Sequence, residues 1–152
     1  MMTEPDSYDF EKLAREIITS RLKDIPADTA AAAAAEVASK IIVAGVTSTA
    51  KRQDPHLTVA GICRGVMSGM LLIEKDLVAT AVALVKSMAH LALETHLDPA
   101  DMMTWAMEGI AAVCVVGHGD LKANVREALE QNFMGTGEVF GELLAKAAPP
   151  KD

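Results

Sequence analysis

Few side chains in this sequence are placed to do chemistry. Two cysteines, Cys63 and Cys114, are the candidate thiol nucleophiles, and each lies inside an apolar helical stretch. Covalent catalysis needs a base beside the thiol, yet no histidine falls within three positions of either. They also lack the Cys-x-x-Cys or Cys/His spacing of a metal site, so buried, reduced thiols are expected. A phosphate-cradling loop is missing too, because Gly135-Thr136-Gly137 is short and no lysine follows it directly. Enzyme activity is therefore the third-ranked expectation, behind two non-catalytic ones, and no cofactor is called for.

Charged side chains are scarce between Asp54 and His118, and Arg64, Lys86, Glu94 and Glu108 are the principal ones inside helices. Lys86, His90 and Glu94 follow one another at i, i+4 and i+8 and form a polar stripe, which helical ion pairing explains. The Glu-x-x-His pair of di-iron bundles does not occur, so no metal is expected. His56 and His118 fall at helix boundaries, where an exposed imidazole needs no role. Arg64 and Glu108 are offset by 44 positions and each precedes a glycine. If equivalent helices lie side by side, the two would face each other as a lateral ion pair or as the polar edge of a pocket.

Gly61, Gly65 and Gly69 give two overlapping GxxxG spacings on one helical face. Each glycine weakens a helix in water by about 1 kcal/mol relative to alanine, so three in register call for a packing reason. The face can serve a neighbouring helix of the same chain, a second subunit or a ligand.

Such residues need elements to carry them, and the pattern is helical throughout. Phe10, Leu13, Ile17 and Leu22 recur at three- to five-residue steps after a cap at Asp6 or Ser7, and Pro26 stops that helix. Asp28 opens a second helix through the alanine run 30–35, with Lys51 and Arg52 at its C-terminal end suiting the helix dipole. Asp54-Pro55 and Asp98-Pro99 are start signals, since Asp accepts free first-turn amides and Pro tolerates the first helical position. Asp76 and Asp120 cap two more helices, and Gly117-His118-Gly119 separates the last of these from the one before. A break at Gly135-Thr136-Gly137 precedes a short terminal helix, and no stretch alternates with period two, so no sheet is expected.

The fold class is all-α: about six helices in a single-domain bundle or a short helical-hairpin repeat, spanning 1–152 with an ordered core at about 7–146 and a frayed tail at 147–152. The repeat would pair 54–97 with 98–141. At that offset, 98 − 54 = 44, the identities over 54–86 are Asp54/Asp98, Pro55/Pro99, Gly65/Gly109, Asp76/Asp120, Leu77/Leu121 and Ala79/Ala123. They fall at caps and at a mid-helix glycine, the positions a repeated hairpin must preserve.

Composition narrows the partners. At 51% apolar and 23% charged the chain has material for a core, but aromatics are only 3%. The net charge is −7, and no run of five or six Lys and Arg occurs, which argues against nucleic acid and anionic membrane surfaces. The apolar stretches 59–73, 77–93 and 102–116 are interrupted by charge and shorter than the roughly 20 residues a bilayer needs, so no membrane span is expected. An acidic N-terminus without an apolar signal run points to the cytoplasm. The leading expectation is a self-associating helical scaffold, joined through the glycine face or through Met67, Met70, Met102, Met103 and Met107, which could equally be core. The alternative is a pocket for a small apolar ligand, with Arg64, Lys86 or His90 supplying a polar contact.

Overall fold

The computed structural model describes residues 9–47, 54–117 and 119–148. They form seven α-helices and no strand: α1 (Phe10–Arg21), α2 (Ala27–Thr47), α3 (Pro55–Leu72), α4 (Leu77–Thr95), α5 (Pro99–Cys114), α6 (Leu121–Asn132) and α7 (Thr136–Ala147). Seven is in keeping with the expected six or so, and α7 is the terminal helix expected beyond the break at Gly135, here twelve residues long.

Aspartates start most of these helices as the spacing predicts. Asp54 accepts the amide of His56, Asp76 that of Ala79 and Asp98 that of Asp101, with proline in the first turn of α3 and α5. The cap of α1 is Asp9, which accepts the Lys12 amide; Asp6 and Ser7 lie outside the described residues, as do Lys51, Arg52 and His118. Asp120 precedes α6 but makes no side-chain capping bond. Gly135 takes a left-handed φ of 91°, which turns the chain sharply from α6 into α7.

The packing order is simple. α1, α3, α5 and α7 lie in sequence in one layer, and α2, α4 and α6 in a second; among the described residues each helix touches only the next helix and the next but one. Between the layers sits a core of Ile18, Ile42, Ile62, Leu84, Ile110 and Leu129, with Phe140 closing its C-terminal end. Met67, Met70, Met102 and Met107 are buried in it, where they serve as adaptable filler between helices, and Met103 packs half-buried against it.

α2 and α4 are long and apolar enough to cross a membrane by length and composition, with 39% and 44% of the relevant stretches buried in the fold. α4 extends the apolar stretch 77–93 to nineteen residues. In the structure the two helices lie side by side in the second layer.

Candidate functional site

The glycine face is occupied from within the chain. A Cβ on Gly65 would run into the Glu11 carbonyl and come within 3.1 Å of Ala14 Cβ, and one on Gly69 would stand 2.8 Å from Ile18 Cβ. α1 therefore lies directly on the backbone of α3. Gly61 is different, since its nearest neighbour would be Glu11 Cβ at 4.0 Å, an ordinary contact.

The same device joins α3 to α5. A Cβ on Gly109 would meet the Ala60 carbonyl and lie 2.9 Å from the Arg64 amide nitrogen. Contacts advance in step along both helices, His56 with Trp105 and Glu108, then Ala60 and Arg64 with Gly109, so the two run parallel. That close approach assembles a constellation at the first turn of α3. The His56 and Trp105 rings stack with centroids 5.3 Å apart and planes 13° from parallel. His56 Nε2 lies 2.8 Å from Glu108 Oε1, and the His56 backbone amide donates to Asp54 Oδ1 at 2.8 Å.

The imidazole is thus fixed at its backbone, its face and its edge. With the proton on Nε2, His56 donates to Glu108 and presents Nδ1 as an acceptor; when doubly protonated it carries a positive charge opposite the carboxylate. Both side chains are nearly half exposed, at 43% and 45%. A histidine oriented by a carboxylate can act as a base, but neither cysteine can serve it as nucleophile. Cys63 and Cys114 are wholly buried, and burial pushes both thiols up to about 12.

Arg64 and Glu108 do not form the lateral pair expected from their matching positions. Arg64 Nε reaches Glu11 Oε2 on α1 at 3.3 Å, and Glu108 turns to His56. The reason lies in helix geometry. Gly109 seats on the turn from Ala60 to Arg64, and helical side chains lean toward the N-terminus, so Glu108 points back to the first turn of α3. Arg64 and Glu108 nevertheless line one groove of about 570 Å³ with Ala112, Val115, Leu143 and Lys146, between α3, α5 and α7.

Lys86 and His90 stand in the other layer, apart from that groove. Lys86 is on the α4 wall of a groove of about 760 Å³ between α2 and α4, which Glu36 also lines from α2. His90 Nε2 contacts Glu94 Oε1 at 3.5 Å, an exposed pair one turn apart on α4.

A third and larger groove, about 860 Å³, runs between α6 and α7 and mixes Lys122 and Arg126 with Glu127 and Glu138. Glu130 also borders it. Its carboxylate accepts the amides of Gly135 and Gly137, which holds it below the usual carboxylate range, with Arg126 adding to the effect. All three grooves are open to solvent. Among the described residues no three His, Cys, Asp or Glu side chains gather as a metal site.

No protein-family model, curated protein or solved structure matches this chain. What it does must be argued from its own geometry. His56, expected to be an exposed imidazole at a helix boundary, is instead stacked on Trp105 and bonded to Glu108. The two rings are 105 − 56 = 49 positions apart, and no local motif joins them. The usable signal was the Asp-Pro start, which puts His56 in the first turn of α3, on the side a parallel α5 would cover.

Proposed function

We propose that this chain is a non-catalytic helical scaffold that acts by associating with itself, built around two related hairpins at 54–97 and 98–141. The observation that carries this reading is the packing order: helices that touch only near neighbours leave both layers with broad outer faces, and the grooves on them are shallow and open. Such ladders present surface more readily than they enclose a reaction. The high thiol pKa values support the non-catalytic part, since a protonated buried thiol is a poor nucleophile.

The repeat is supported by helix starts that coincide at an offset of 44, Pro55 with Pro99 and Leu77 with Leu121. Gly65 and Gly109 each receive the preceding helix of their own layer. The second unit departs from the first in its uncapped Asp120 and in α6, twelve residues against nineteen in α4. α7 also begins inside it, at Thr136. A cytoplasmic setting fits the reduced thiols and the acidic balance of charge.

A second reading is favoured by the groove between α3, α5 and α7. It is lined by apolar Ala112 and Val115 and by Arg64, Lys146 and Glu108, a combination suited to a small apolar molecule with a polar end. Native mass spectrometry of freshly purified protein separates the two. The scaffold reading expects a dimer or larger species at the mass of the bare chain, and a monomer carrying a reproducible added mass would replace it with the pocket.

A further inference from the structure

We infer that the face formed by α2 and α4 is where two copies of this chain join, with α2 of one copy lying on α4 of the other. The inference rests on the self-association reading and names its surface.

α2 and α4 are the two long helices whose apolar stretches stay more than half unburied, at 39% and 44% buried, and they lie against each other. Their shared outer face is a groove walled by Ala31, Ala32 and Ala35 on one side and by Ala79, Val82 and Ala83 on the other. The apolar character stops at these two helices. α6, the third member of the layer, borders its own groove with Lys122, Arg126, Glu127 and Glu130.

Charge decides between occupants. Asp28 and Glu36 stand on the α2 wall, and Lys86 on the α4 wall. Glu36 meets Lys40 only at 4.0 Å, with 70% and 78% of the two side chains exposed, so its carboxylate is little engaged. A twofold axis along the groove exchanges the walls. The acidic wall of each copy then faces the basic wall of the other, and Glu36 meets the second copy's Lys86 twice, once on each side of the axis. A lipid bilayer would gain nothing from this opposed arrangement and would have to desolvate both charges.

Small residues at the contact let helix axes approach to about 8 Å. Two helices about 30 Å long, side by side, offer on the order of 600 Å² per copy, near the lower edge of stable interfaces. The dimer should therefore dissociate in the micromolar range.

The test is sedimentation velocity on the full chain across that range, for the unaltered protein, Glu36→Lys, Lys86→Glu and the double reversal. All these side chains are exposed, and circular dichroism confirms that each variant is helical. The expected result is a dimer that each single reversal weakens at least tenfold and that the double reversal restores. A monomer at every concentration overturns both this interface and the self-association reading. A dimer indifferent to both reversals, or single losses that the double reversal does not rescue, overturns this face and leaves self-association standing. Flotation of the protein with phosphatidylcholine vesicles, without dimer formation, overturns it in favour of a membrane surface.

Discussion

At the scale of the residue, the distinctive feature is an imidazole stacked on the chain's single tryptophan. An aromatic pair contributes about 0.5–1.5 kcal/mol beyond its buried area, and the half-exposed bond to Glu108 adds little in water. His56→Ala should cost about 1 kcal/mol in thermal unfolding and shift Trp105 emission to the red; an unchanged spectrum would show that the stack does not persist in solution. Arg64 offers a contrast. Its pair with Glu11 is 55% and 31% exposed, so Arg64→Ala should cost less than about 1 kcal/mol by chemical denaturation. The titrating groups act in opposite directions. Glu130, held low by the Gly135 and Gly137 amides, stabilises the fold above its unfolded pKa, and that contribution is lost as pH falls through its lower folded value. Glu130→Gln should flatten the acid limb of a melting-temperature profile. The thiols, raised to about 12, stabilise the fold below their ordinary value near 9, and stability is lost as pH climbs from there toward 12. Little of this was legible in the sequence. The burial of the thiols followed from their apolar surroundings, but His56, Trp105 and Glu108 meet only because two helices approach at a glycine.

At the scale of the element, the three glycines of α3 are chemically identical in sequence and physically different in the fold. Gly61→Ala adds a methyl in ordinary contact and removes a helix-weakening residue, so it should raise stability by about 0.5–1 kcal/mol. Gly65→Ala and Gly109→Ala each drive a methyl into a neighbouring helix's backbone and should cost about 1–3 kcal/mol or more, as overpacking does. Equal midpoints for the three variants in urea would contradict the parallel seating of α1 on α3 and of α3 on α5. The GxxxG spacing showed that the face must be approached, and it left open by what. Only the tertiary contacts with Glu11, Ala14 and Ile18 tell which positions are filled. Helix starts were more legible, because an aspartate's capping bond is local: Asp54, Asp76 and Asp98 each close on an amide two or three residues ahead.

At the scale of the whole molecule, layer order governs stability. Helices flanked on both sides, α3, α4 and α5, should exchange their amide hydrogens most slowly, and the terminal α1 and α7 fastest, in a native-state exchange experiment. The proposed repeat permits a harsher trial. Deleting 54–97 should let Gly109 receive α1 as Gly65 does, leaving a helical, cooperatively unfolding chain of lower midpoint; loss of helical circular dichroism would refute the equivalence of the two units. The all-α class was plain from periodicity, whereas the two-layer order was not, since helical pattern alone does not say which helix lies beside which. That order also bears on how the protein is made. Among the described residues no helix waits for a partner synthesised more than two helices later, so a chain leaving the ribosome can dock α3 on α1 while α6 and α7 are still untranslated. Assembly can then follow the direction of synthesis, each new helix settling on a layer already in place.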